Sequence, residues 1–168
     1  MRIKDIKIPV VVISFLLTLG ILFAGMWLYK DLYVNDPLAE KLQKIPAVKE
    51  YELIIDEKSL EVTLGTVDNL KETYLEIENS IKDITNDSGA FEIKIKDNPD
   101  NLLNSVWEKA QFAVYEALEQ GNFNDMAVQI KKVIEEFGLE KYKIQMDKNN
   151  IYIQLHHGDK FLYKVLQR

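Results

Sequence analysis

Residues 8–29, IPVVVISFLLTLGILFAGMWLY, run for 22 positions without a formal charge. At 1.5 Å per residue such a segment makes about 33 Å of helix, enough to cross a hydrocarbon core of about 30 Å. Pro9 falls in the first turn, where its missing N–H costs little. Trp27 and Tyr29 close the run where amphipathic rings favour a membrane interface. A cleaved signal peptide would have an apolar stretch of about 7–15 residues ending in a small-x-small site. Here the run is longer, and Ala24 and Gly25 are followed by bulky Met26 and Trp27. The segment reads as an uncleaved signal anchor in contact with membrane lipid, preceded by a short basic leader (residues 1–7) and followed by a linker (residues 30–36). Gly20 and Ala24 form a small-xxx-small pair of the kind that brings two spans together.

The basic residues flanking the span are nearly balanced: Arg2, Lys4 and Lys7 before it, Lys30, Lys41 and Lys44 after it. A short leader and a single anchor set the expectation of a cytoplasmic N-terminus and an extracytoplasmic domain. From Lys30 onward the chain has 139 residues, enough for one domain of ordinary size or two very small ones. The chain has no cysteine, which excludes a disulfide framework, a thiolate metal site, a cysteine nucleophile and a lipobox. Setting aside Arg2, Lys4, Lys7 and Asp5, 18 of the chain's 21 basic residues face 26 of its 27 acidic ones. That balance argues against nucleic-acid binding, which needs a basic face to displace counterions from phosphate.

Hydrophobic periodicity organises the remainder. Asp36 and Pro37 form a cap and first helical position, with Leu38, Leu42 and Ile45 on one face before Pro46. Tyr51, Leu53 and Ile55 alternate, a turn follows over residues 56–59, and Leu60, Val62 and Leu64 alternate again, giving a hairpin. Gly65 and Thr66 lead to a helical stripe of Val67, Leu70, Tyr74, Ile77, Ile81 and Ile84. A turn at residues 86–89 precedes a strand with Phe91, Ile93 and Ile95 inward. Asn98 and Pro99 read as the next cap and first position, starting a helix over residues 98–119 with Leu103, Val106, Trp107, Ala110, Ala113, Val114 and Ala117 on its apolar face. Gly121 ends it. Asn122 or Asn124 caps another helix carrying Met126, Ile130, Val133, Ile134 and Phe137, closed by Gly138. Three strands follow, around Ile144, Ile153 and Tyr163, with Gly158 and Asp159 as a two-residue hairpin loop. The expected fold class is α+β: a transmembrane helix, then a soluble α-β-β-α-β-α-α-β-β-β domain with mostly hairpin connections. It divides into modules at residues 37–97 and 98–168, which one domain could combine.

The stretch LAEKLQKIPAVKEYELIIDEKSLEVTLGTVDNLKETYLEIENSIKDI, closing on FEIKIKD, resembles the α-β-β-α-β ring-building modules of bacterial secretion and sporulation assemblies. LEVTLGTV is similar to the strand-to-helix step of small BON domains, which are envelope or lipid-associated modules. The likeness covers residues 37–97. With its 19 lysines against two arginines, the whole chain is similar to short single-span envelope proteins of low-GC Gram-positive bacteria. The resemblance implies self-association or docking to a protein partner.

Residue by residue, no catalytic set emerges. His156 and His157 are adjacent on a strand, so their rings leave opposite faces and cannot chelate one metal without a bulge. No serine lies in a glycine-flanked elbow, and no glycine-rich phosphate loop is present. The oxygen-rich Asp97, Asn98, Asp100 and Asn101 lack the spacing of a calcium loop, and helix capping accounts for Asn98 and Asp100. The expectation is a non-enzyme with no cofactor and no metal. The candidate interaction surface is Trp107, Phe112, Tyr115 and Tyr152. Trp107 belongs to the helix's buried stripe, Phe112 and Tyr115 sit at its margin as core or docking face, and Tyr152 shares a partly open strand face with Gln154 and His156. Two readings follow: a membrane-anchored scaffold or accessory subunit of an envelope or sporulation assembly, or a membrane-anchored sensor. The sensor would hold a small ligand or peptide in a groove between the helix over residues 98–119 and the last three strands.

Overall fold

The computed structural model describes residues 8–30, 36–54, 57–85 and 91–168. The basic leader, residues 31–35 of the linker, the start of the turn after the first strand and the expected turn at residues 86–89 lie outside the described residues. Eleven elements follow in order: α1 (Ile8–Lys30), α2 (Asp36–Leu42), β1 (Val48–Ile54), β2 (Ser59–Leu64), α3 (Leu70–Thr85), β3 (Glu92–Lys96), α4 (Asn101–Gln120), α5 (Phe123–Glu136), β4 (Lys141–Met146), β5 (Asn150–His157) and β6 (Lys160–Gln167). The element order after α1 is the one the periodicity predicts. The span Pro9–Trp27 of α1 is long and apolar enough to cross a membrane, and none of it is buried against the rest of the chain.

The first sheet has the order β1-β2-β3, and the second β4-β5-β6. β1 and β2 form the expected antiparallel hairpin, with an irregularity between Val48 and Glu50. β3, however, lies parallel to β2. The expected hairpin connections hold for β1–β2, β4–β5 and β5–β6, while between β2 and β3 the expected helix α3 fills the connection, and a helical crossover returns the chain in the same direction. The stripe on α3 is also shorter than it reads: the helix begins at Leu70, and Val67 is buried from the loop before it. β4, β5 and β6 are antiparallel throughout. The loop between β5 and β6 is the two-residue Gly158 and Asp159 turn, and Gly158 has φ 59°, the left-handed conformation that only glycine adopts without strain.

The start of α4 corrects one reading. Asp100, not Asn98, is the N-cap: its Oδ1 accepts the N–H of Leu103 at 2.9 Å. Asn98 instead bridges to Phe161 of β6, accepting its N–H at 3.2 Å, so that backbone position belongs to a sheet contact.

Two clusters form the core. The first packs α2, α3 and one face of the first sheet, with Leu38, Leu42, Leu60, Val62, Leu70, Ile77 and Ile81 buried. The second packs α4 and α5, through Leu103, Val106, Ala110, Val114, Met126, Ile130 and Ile134, onto Ile151, Ile153, Leu155 and Leu162. Each fully buried Leu, Ile or Val contributes about 1.5–3 kcal/mol relative to exposure. β5 takes part in both. Side chains alternate across a strand, so its odd-numbered residues enter the α4–α5 core while Tyr152 joins Phe161 and Tyr163 of β6 in the other. The second sheet is therefore covered on both faces, and the two sequence modules share one interior.

Candidate functional site

Gln154 is the polar centre of that shared interior, with 4% of its surface exposed. Its Oε1 accepts the N–H of Leu70 at 2.9 Å, and its Nε2 donates to the carbonyl of Val67 at 2.8 Å. The first N–H groups of a helix have no partner inside the helix, so Gln154 caps α3 from the opposite half of the chain. The second Nε2 hydrogen points to Nε2 of His156 at 2.8 Å, which assigns that ring nitrogen as acceptor and the proton to Nδ1. Burial lowers the His156 pKa, and Lys141 and Lys143 add to the effect against a smaller opposing pull from Asp68. Beside it, the Tyr163 hydroxyl accepts the N–H of Val67 at 3.0 Å and donates to the carbonyl of Gly65 at 3.3 Å. Burial pushes the Tyr163 hydroxyl up to about 12, so it remains a donor throughout the neutral range.

Tyr152 is 1% exposed, with its ring edge against Tyr74 at 5.7 Å between centroids. Its hydroxyl donates to Oδ2 of Asp147 at 2.8 Å. The strand face expected to be partly open is thus closed: α3 and the loop before it cover Tyr152 and Gln154, and Tyr152 is not available to a partner. The expected groove between α4 and the last three strands is closed too, because the second core cluster fills it.

The other candidates divide. Trp107 is half-buried against the second core, with the Lys164 ammonium 5.9 Å from its ring centroid. Phe112 and Tyr115 are 73% and 53% exposed, one helical turn apart on α4. Glu108, Glu116 and Glu119 of the same helix are also exposed. Among the expected site residues, the structure leaves only this pair open, and it brings neither to Tyr152.

A cleft that the sequence reading missed lies on the other side of the second sheet. It has a volume of about 810 Å³ and is walled by the start of β3, the end of β6 and α3. Tyr74, Ile81, Phe91, Ile93 and Val165 give it apolar surface, while Glu57, Glu78 and Glu92 outnumber Lys58 and Lys82 at its charged positions. Burial together with the nearby Glu78, Asp147 and Glu92 pushes the Tyr74 hydroxyl up to about 12. No local pattern marks such a cleft, since its walls come from strands about 70 residues apart in the chain.

The two histidines diverge as strand geometry requires: His156 faces Gln154, and Nδ1 of His157 lies 2.6 Å from Oδ2 of Asp100 at the start of α4. Among the described residues, no group of three His, Asp or Glu side chains is placed to hold a metal ion. No family model, no curated protein and no solved structure matches the chain.

Proposed function

We propose that this chain is a membrane-anchored, non-enzymatic binding protein: a scaffold or accessory subunit of a bacterial envelope or sporulation assembly, with α1 crossing the bilayer and the domain on the extracytoplasmic side. The observation that carries the binding reading is the exposure of Phe112 and Tyr115 on α4, since paired surface aromatics cluster where partners dock. The apolar, unburied α1 supports the anchor, which would concentrate the domain at the bilayer and raise its effective affinity for anything held there. The assembly context rests on the resemblance of residues 37–97 to ring-building modules.

The test is a photo-reactive phenylalanine analogue at position 112 of the full chain, irradiated in intact cells. A discrete protein adduct that disappears with Tyr115→Glu supports the reading, whether the adduct is a second copy or another protein. No adduct, or one indifferent to Tyr115→Glu, overturns it. The sidedness is read from Asn149→Cys, an exposed turn position in a chain without other thiols. Labelling of intact cells by a membrane-impermeant maleimide places the domain outside, and labelling only after lysis places it inside. The sensor reading is favoured by one observation, the cleft between β3 and β6.

A further inference from the structure

Hydrogen bonding along β3 and β6 shows why that cleft stays open. The N–H of Glu92 donates to the carbonyl of Lys58, beside β2, so Glu92, Lys94 and Lys96 turn their backbone groups toward β2. By the two-residue period, Ile93 and Ile95 turn theirs to the free edge. On β6 the N–H of Phe161 reaches Asn98 and the N–H of Tyr163 reaches Oδ2 of Asp97 at 2.8 Å, so the odd-numbered residues face outward. The Asn98–Phe161 bridge is antiparallel. Continued along both strands, its register would set Lys94 against Val165 and Lys96 against Tyr163. In each of those pairs the β3 residue points away and the β6 residue points in. The two edges are out of phase by one residue and cannot zip together without a bulge. Asp97 supplies a side-chain acceptor at the junction, and beyond it, among the described residues, no backbone hydrogen bond joins the strands.

We propose that this cleft accepts a strand: about five extended residues of another protein, lying between β3 and β6 and hydrogen-bonded to both. Such a strand would be parallel to one edge and antiparallel to the other, and it would remove the phase conflict because each edge pairs with it separately. Ile93 shares a face with Leu60, and Val165 with Tyr152, so both side chains point toward α3. The inserted segment therefore carries apolar residues at alternate positions, facing Tyr74 and Ile81. The positions between them point to the opposite face, beside Glu92 and Lys94 of β3, which pair with each other, and Lys164 of β6, so they carry uncharged polar residues. The inference rests on the reading of the chain as a protein-binding module and gives that module a peptide-class ligand.

The experiment uses the full chain in lipid nanodiscs and the probe peptide acetyl-VTITV-amide, with amide hydrogen exchange followed by residue. At about 1 mM peptide, and a dissociation constant of about 0.1 mM, exchange at Ile93, Ile95, Val165 and Gln167 slows about tenfold. The peptide acetyl-TTTTT-amide, which lacks the apolar positions, gives less than about a tenth of the affinity. A VTITV peptide N-methylated at alternate positions gives no slowing. Val165→Pro removes an N–H that points outward and pairs with nothing among the described residues, so the fold persists and the slowing at Ile93 and Ile95 is lost. No slowing with VTITV, equal binding of the all-threonine peptide, or binding that survives N-methylation overturns the proposal. Should Val165→Pro unfold the chain, the N-methylated peptide on the native chain decides alone. Persistence of the position-112 adduct alongside a failed peptide test sinks the cleft and leaves the binding function standing.

Discussion

Replacing Gln154 by leucine removes the acceptor for Leu70 N–H and the donor to Val67 C=O while nearly preserving volume. Gln154 is 4% exposed, so water cannot take over without opening the interior. An orphaned buried backbone group costs about 1–3 kcal/mol, and two of them give about 2–6 kcal/mol, set against about 5–15 kcal/mol for a whole domain. The assay is urea unfolding of the full chain in nanodiscs, followed by Trp107 fluorescence in a Trp27→Phe background. The midpoint should fall by an amount matching that loss, with faster amide exchange at Leu70. Gln154→Glu sharpens the test. A protonated carboxyl can reproduce both hydrogen bonds, whereas the carboxylate would face the Val67 carbonyl, so burial raises its folded pKa. The folded state then binds the proton more tightly, and the variant's deficit shrinks as pH falls from neutral toward the unfolded carboxyl range. A cost below about 0.5 kcal/mol for Gln154→Leu would refute the idea that this side chain ties the two halves together.

His156 gives the opposite sign in the native chain. Its folded pKa is lowered, mainly by burial, so between the ordinary imidazole value of 6.5 and that lowered value the unfolded state binds the proton and the folded state does not. Stability is full above about 6.5 and declines as pH drops through the window, with His156→Phe abolishing the decline; identical urea midpoint shifts between pH 7.5 and 5.5 in both proteins would contradict the assignment. Ser59 is wholly buried and its Oγ has no hydrogen-bond partner among the described residues, so Ser59→Ala should be neutral or stabilise by up to about 1 kcal/mol, visible as a rise of a few degrees in Tm; a loss of stability would mean that the hydroxyl is hydrogen-bonded in the folded chain.

The elements themselves were legible because each carries its own period. Leu70, Ile77 and Ile81 mark α3, and Ile151, Ile153 and Leu155 mark one face of β5, without reference to anything distant. What lies opposite a face is not a local property. Tyr152, Gln154 and His156 read as a half-wet strand face because two of the three are polar, yet Gln154's main-chain partners sit 84 and 87 residues away on the approach to α3. The same holds for the helix start at Asp100: Asn98 is an equally good cap by residue type, and only its bridge to Phe161, on the last strand, removes it from contention. For Phe112 and Tyr115 the sequence does not decide between core and surface, because a margin position on a helix is decided by the width of the neighbouring packing, and α5 and the second sheet do not extend over them.

The sharing of β5 and β6 between both core clusters has a consequence for how the protein is made. Tyr152, Phe161 and Tyr163 complete an interior whose other fully buried members all lie before residue 82. Translation at about 5–20 residues per second takes roughly 4–14 s to cover the 71 residues from 98 to the end of the chain. Throughout that interval the first half lacks the aromatic side of its interior and the cap on α3. The earlier half cannot be finished before the later one, and a ribosome that stops before β6 releases a chain with two open cores instead of one folded module and one missing.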